Sequence, residues 1–374
     1  MPLPDISRRQ FLTTAVTGGV LVSTTLRTIP AAADTAAAPV QSSSSKIGCS
    51  RPRTIGALYF RAQLYTIVPR QVREDMEWMR DAGINTLVIG VLEQDLTSAR
   101  ENIDLLCSEA HRVGLKVWAI PSRWGNLVAG APKVPCVFTG KKPDCWALRS
   151  NGKPWMGQFG PYASIHHEIT RENFSKMLRR LLTQWPVEGV VWDEPKAYNV
   201  IDHSAAAQKA FGGAVPPGES AHRRAFTRFF GELNAIAKEA HSSCHTSMFT
   251  YATLAQDEVD DLVDQSGLDA FGCDGRPWAL ADRGADDSRR DRLARKCLID
   301  DGPRFIAAAR RHGKKSFALI ENHALPDTCN PIMDRRLPDV IAQGWDHLIC
   351  YYYPRSCDAP DTSMAVLKKH LLRI

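Results

Sequence analysis

From residue 55 to the C-terminus the chain repeats one pattern. A short apolar run gives way to polar or aromatic residues, and a segment of helical periodicity follows. The runs fall at 55–60, 86–92, 116–120, 189–192, 246–251, 268–272, 316–320 and 347–352. They are continuous rather than alternating, which suits strands buried on both faces in a parallel sheet. Between them Val72, Met76 and Met79 stand at i, i+4 and i+7, with Gly83 as the stop. Ser98 and Glu101 have capping-box spacing ahead of Ile103, Leu106 and Ala110. Phe174, Met177, Leu178, Leu181 and Leu182 mark a third helix, and Phe226, Phe229, Phe230, Leu233 and Ile236 a fourth. Phe305, Ala308 and Ala309 mark another, and Val366, Leu367, His370 and Leu371 the last.

Eight such units predict an α/β fold, a (β/α)8 TIM barrel spanning 52–374 as a single domain. A doubly wound open sheet is the alternative, but no G-x-G-x-x-G follows the first strand. The spacing is uneven. Long loops follow strand 3 (121–166) and strand 4 (196–219). In such a barrel these loops build the active-site face, so the surplus length points to function there.

The first fifty residues do not share the rhythm. Ser7-Arg8-Arg9-Gln10-Phe11-Leu12 precedes an uncharged apolar stretch and then Ala31-Ala32-Ala33. Residues 1–33 resemble a bacterial twin-arginine export signal, and the Ala/Ser-rich 34–51 read as a flexible spacer. The implied location is periplasmic or secreted. The apolar stretch is too short and too rich in Thr and Gly for a stable membrane span.

Composition narrows the classes. Of 374 residues 44% are hydrophobic and 24% charged, an ordinary globular balance. The +6 net charge comes from 47 basic and 41 acidic residues without a clustered basic block, so no nucleic-acid partner is expected. Ten cysteines occur without a C-x-x-C. Cys136 with Cys145, and Cys329 with Cys357, are the pairs that loops bring within reach. Cys107, Cys273 and Cys350 lie in apolar segments and read as buried thiols.

The chemistry concentrates where strands end. In Val190-Val191-Trp192-Asp193-Glu194-Pro195 an apolar run stops in two carboxylates and a proline. The blander alternative is that one acid caps a helix or pairs with Lys196. In Leu319-Ile320-Glu321-Asn322-His323 the seventh run ends in another carboxylate, whose blander role is an ion pair with a loop arginine. Strands 4 and 7 lie nearly across an eight-stranded barrel. Carboxylates at both ends would face each other over the mouth, as glycosidic cleavage requires.

These residues resemble clan A glycoside hydrolases, retaining TIM-barrel enzymes with an Asn-Glu-Pro signature on strand 4. The resemblance implies Glu194 as acid/base and Glu321 as nucleophile, with ~5–5.5 Å between their carboxyl groups. Asp193 stands where that family has Asn, and Tyr351-Tyr352-Tyr353 where it has Trp. Asp193 is the alternative acid, because strand alternation sends neighbours to opposite faces unless the strand end bulges.

A carbohydrate substrate is the expected partner. Candidate binding residues are Tyr59, Gln63, Arg123, Trp124, Asp274, Arg276, Trp278, Asn322, His323, Tyr351 and Tyr353, with Trp146 and Trp155 on the third loop and Glu93 and Asp95 on the rim. No metal or cofactor is expected, since strand 1 ends Tyr59-Phe60-Arg61 without a His-x-His pair. The sequence leaves sugar, linkage and oligomeric state open. Alternatives are a non-catalytic carbohydrate-binding barrel, or another hydrolase, metal-assisted, on the same scaffold.

Overall fold

The computed structural model describes residues 52–59, 67–130, 133–278, 287–353 and 357–374. The expected leader and spacer, and Gln63, lie outside the described residues. Gly48–Ile374 forms one compact unit.

Its centre is a closed barrel of eight parallel strands in sequence order. They are β1 (Thr54–Tyr59), β2 (Thr86–Val91), β3 (Lys116–Pro121) and β4 (Gly189–Asp193), then β5 (His245–Tyr251), β6 (Ala270–Gly275), β7 (Lys315–Ile320) and β8 (His347–Tyr351). Each apolar run lies on one strand. The largest departure is β6, which starts two residues later than expected and runs on to Gly275. Asp274 is therefore a strand residue.

A helix follows each strand. They are α1 (Pro69–Asp81), α2 (Arg100–Arg112), α3 (Glu168–Gln184), α4 (Ser220–Ala240), α5 (Gln256–Val263), α6 (Gly302–Arg311), α7 (Asn330–Ile341) and α8 (Pro360–Leu371). The periodic residues face the core as expected, with Val72, Met76 and Met79 of α1 and Phe174, Leu178, Leu181 and Leu182 of α3 buried. The Ser98/Glu101 capping box does not form. The chain before α2 makes a turn in which the Ser98 amide donates to the Gln94 carbonyl, and Ala99 becomes the N-cap.

Strand parity divides the side chains into two sets. Leu58, Val88, Trp118, Ile120, Val191, Phe249, Ala270, Phe317, Leu319 and Ile349 point inward and fill the barrel. Their neighbours Ala57, Leu87, Val117, Val190, Met248, Phe271 and Ala318 point outward against the helices. Counting on by twos along this inward set reaches Asp193, Tyr251, Asp274, Glu321 and Tyr351 at the C-terminal ends. The apolar filling therefore decides which polar groups reach the mouth.

The loop after β3 is an ordered excursion. It holds a short helix (Val137–Lys141), a two-stranded hairpin (Met156–Gly157 with Gly160–Pro161), and bridges from Trp146 to Ala163 and Leu148 to Pro154. Among the described residues no two cysteines are joined by a disulfide, so neither Cys136–Cys145 nor Cys329–Cys357 is bonded. Cys136 instead contacts Glu93, and Cys145 contacts His167. Cys107, Cys273 and Cys350 are buried as expected.

Inside the barrel Phe249 and Phe317 stack with centroids 5.6 Å apart and ring planes 4° from parallel. Gly272 beside them has no room for a side chain, because a Cβ would lie 1.6 Å from the Phe317 carbonyl oxygen. Gly272→Ala is expected to lower unfolding stability by about 1–3 kcal/mol, the usual cost of overpacking a core. Urea denaturation checks this, and an unchanged midpoint would show that the strand yields freely.

Candidate active site

Four carboxylates meet at the C-terminal mouth: Asp193 and Glu194 at the end of β4, Asp274 on β6 and Glu321 just past β7. Asp193, Asp274 and Glu321 arrive by inward parity. Glu194 is the next residue after Asp193 and would face the other way on a regular strand. Its backbone turns instead into the left-handed region, at φ 37°. That turn breaks the alternation and brings the Glu194 carboxyl to a hydrogen bond with Asp274. The expectation that only one of the adjacent acids reaches the mouth is thus replaced by both doing so.

The loop after β3 fixes this conformation. The Ala129 amide donates to the Asp193 carbonyl at 2.7 Å, and Val128 forms an antiparallel bridge with Pro195. The Lys196 amide donates to the Leu127 carbonyl at 3.0 Å, and the Glu194 amide to the Phe249 carbonyl on β5 at 3.0 Å. The strained Glu194 backbone is held from both sides.

The electrostatics follow from burial. Desolvation pushes the Asp193 carboxyl up to about 8, with the Glu194 charge adding to the shift and Lys196 and Arg123 opposing it. Asp274 is raised well above the carboxylate range, first by burial, then by the charges of Glu194 and Glu321 and by its bond to Glu194. Burial thus favours the protonated form of both aspartates. Glu194 is the carboxylate partner of the Lys196 ammonium, which also donates to the Tyr251 hydroxyl. That is the Lys196 pairing considered from sequence. Lys196 is raised further by the Glu194 charge, although burial opposes this.

Glu321 contacts His323 at 3.2 Å, and Arg276 lies beside both. The Arg276 guanidinium donates to the Glu321 carbonyl and approaches His323 Nδ1 at 3.3 Å. The ring of His323 packs on Tyr351 with centroids 4.9 Å apart. Arg123, itself at φ 60°, donates to the Gly130 carbonyl at 2.6 Å and lies over the Phe159 ring.

Four expected binding residues turn away from the mouth. Tyr59 points outward and donates to Asp75 on α1 at 2.7 Å. Trp124 is fully buried against Phe174, with its indole N–H on the Val91 carbonyl. Trp278 is 1% exposed and packs in the outer core. Asn322 is completely buried and exchanges two hydrogen bonds with the Tyr351 backbone, at 2.9 and 2.7 Å, tying β7 to β8. Aromatic or polar residue type at a strand end announces no direction, and parity or packing sends these four inside.

Tyr353 is half-buried and donates to Asp361. Asp95 is also structural, accepting from the Leu92 amide and Asn102, while Glu93 accepts from the Phe138 amide. Trp146 and Trp155 remain partly exposed. Trp146 lines an open groove of about 830 Å³ between the β3 loop and the helix Ala205–Ala210. Sequence reasoning passed over Tyr251 as a site residue. It is 37% exposed at the mouth, and counting by twos from Phe249 would have found it. Among the described residues no group of three or more His, Cys, Asp or Glu is arranged to hold a metal ion.

No family model and no curated protein matches the sequence. Solved structures do. A β-galactosidase from the psychrophilic Marinomonas ef1 superposes with a TM-score of 0.57 at 12% identity, over 84% of this chain and 59% of that one. The catalytic domain of a β-amylase from Paenibacillus polymyxa gives 0.58 at 10% identity, over 86% of this chain and 98% of that one. A GH36 α-galactosidase from Geobacillus stearothermophilus gives 0.50 at 11% identity, over 86% and 42%. The fold is a TIM barrel. These neighbours are glycoside hydrolases, and at such identities the likeness speaks for the fold alone. The chain spans about three fifths of the β-galactosidase and less than half of the α-galactosidase.

Asp193 titrates well above its unfolded value of about 3.9, so the folded state binds an extra proton between there and about 8. That stabilisation is complete at acid pH and is lost as pH rises through about 8. The contribution of one such proton is at most about 1.4 kcal/mol per pH unit. The melting temperature, followed from pH 5 to 9 (roughly the window these values define), is expected to fall less in Asp193→Asn than in the wild type. Parallel curves would mean that Asp193 is charged throughout.

Proposed function

We propose that the protein is an exported glycoside hydrolase that cleaves an oligo- or polysaccharide with two carboxyl groups at the barrel mouth. The carrying observation is the four-carboxylate cluster, in which burial favours the protonated form of two aspartates while Glu194 pairs with Lys196 and Glu321 lies beside His323. A reaction that needs one acid and one carboxylate is served by such a division.

The resemblance to clan A enzymes implied Glu194 as the acid. Its ion pair with Lys196 favours a different assignment. Asp274 is the proton donor, and its hydrogen bond to Glu194 keeps that proton in place before substrate arrives. Glu321 is the attacking or cation-stabilising carboxylate, oriented by His323. Asp274 gives its proton to the glycosidic oxygen as the C–O bond breaks, while Glu321 attacks the anomeric carbon. Water then displaces Glu321, and the Asp274 carboxylate takes the proton of that water. Asp193 remains the alternative donor. Tyr251, Tyr351 and Trp146 offer rings to the apolar faces of sugars. The leader resembling a twin-arginine signal supports action in the periplasm or outside the cell.

A glycan panel tests this reading with the wild type and Asp274→Asn, Glu194→Gln and Glu321→Gln. Wild-type sugar release is expected to fall about 10²–10⁴-fold on loss of the acid, and similarly in Glu321→Gln. Glu194→Gln should shift the alkaline limb of the pH profile by changing the partner of Asp274. Glycan binding without turnover in every protein would favour the non-catalytic barrel instead. Activity lost on chelation would favour a metal-assisted hydrolase.

A further inference from the structure

The opposite end of the barrel carries a second cluster that the proposed reaction does not use. Near the start of β3, β5 and β8, inward parity sets Trp118, His245 and His347 side by side. The Trp118 and His245 rings stack 4.4 Å apart at 15°. His347 meets His245 edge-on at 4.8 Å and Trp118 at 5.5 Å. Gly189 on β4 makes room for the indole, since a Cβ there would lie 2.6 Å from it.

These rings are not sealed into an apolar plug. They line an open cleft of about 710 Å³ at the N-terminal end of the barrel, a size typical of small-molecule sites. His347 is only 5% exposed, yet neither of its ring nitrogens has a hydrogen-bond partner, and His245 Nε2 has none either. A buried polar nitrogen left unpaired costs about 1–3 kcal/mol, so three in one place call for a partner. Burial pushes His245 down to about 4 and His347 to about 3. Both are neutral near pH 7, so each ring holds one N–H and one acceptor nitrogen, and His245 Nδ1 lies 3.7 Å from the Asp269 carboxylate.

The cleft is also positively charged. Arg53, Lys116, Lys238, Lys314 and Lys315 line it against two acids, Glu188 and Asp269. Those acids are already engaged. Glu188 accepts from the Val117 amide at 2.6 Å and contacts His111, and Asp269 pairs with Lys238 and accepts from the Thr246 amide. Lys315 reaches an acid only at 4.0 Å, in Asp346, and Lys314 donates to the Gln265 carbonyl. Helix C-termini, with their partial negative charge, also gather at this end of a barrel and account for some lysines. They do not account for imidazole nitrogens turned into a cleft.

We propose that this cleft is a second binding site, taking a small anionic molecule through a phosphate or carboxylate group. His347 donates to its oxygens, with His245 packed against it, and the lysines supply counter-charge. The metal alternative lacks ligands, because among the described residues no group of three or more His, Cys, Asp or Glu is placed to hold a metal ion. A neutral sugar would leave the surplus of three cations unused.

The test titrates the protein with inorganic phosphate and, separately, with citrate, against sodium chloride at matched ionic strength. The histidine ring 1H–15N spectrum is the readout, with His347→Gln used for assignment. Saturable shifts of His245 and His347 under phosphate or citrate, absent under chloride, are expected. The oxyanion that saturates at lower concentration distinguishes the phosphate from the carboxylate source. Lys116→Ala combined with Lys314→Ala, at the rim, should weaken binding about tenfold, equivalent to about 1.4 kcal/mol, and leave the fold and the distant mouth intact. Shifts that merely track ionic strength, or saturable binding unchanged in the double variant, would overturn the proposal and leave water as the partner of these nitrogens.

Discussion

The mouth of this barrel depends on one electrostatic constraint: four carboxyl groups share a space too dry for four negative charges. The chain meets it in three ways. Burial disfavours the anions of two aspartates and so favours their protonated forms. One glutamate is matched to the Lys196 ammonium, and the other lies beside His323 and Arg276. Removing any one group would change the protonation of the rest, so they act as a set rather than as two independent residues. The same coupling explains why a pair of acids chosen from sequence is an incomplete description of the site.

That constraint reaches into the scaffold. Glu194 joins the set only through a left-handed backbone that a non-glycine residue adopts at a cost. The loop after β3 offsets the cost with main-chain hydrogen bonds to Asp193 and Lys196 and a bridge to Pro195. Its hairpin and its bonds from Asn126 to Pro161 and from Trp155 to Ile201 make it rigid enough to do so. The length of that loop, which pointed to function at this face, thus also serves to hold the β4 end in place.

The fold was legible because its signal is collective. All eight apolar runs fall on strands, since a strand covered on both faces tolerates few polar residues. Asp193 and Glu321 were legible as polar groups where those runs stop. Direction was harder to read. Tyr59 and Trp278 lie near strand ends like Asp274, yet parity and packing carry them into the helix layer. Asn322 follows Glu321 directly and is consumed in pairing two strands. Lys196 and Tyr251 are far apart in sequence and meet because β4 and β5 are neighbours in the sheet. Single residues of this kind become readable once the inward register is known. Gly189 and Gly272 mark it, as small residues beside Trp118 and Phe317.

The two ends of the barrel solve opposite problems with one interior. Val191, Ile120, Phe249, Phe317 and Leu319 form an apolar septum between them. Above it, low dielectric raises carboxyl groups so that protons are retained. Below it, the same dryness lowers His245 and His347 so that protons are shed. Both effects disfavour charge, and they have opposite consequences for pH. The aspartates stabilise the folded state toward acid, whereas the histidines destabilise it there, because the unfolded chain binds the protons they refuse. Burial at the floor thus works against stability toward acid and burial at the mouth against stability toward alkali, on either side of one apolar septum.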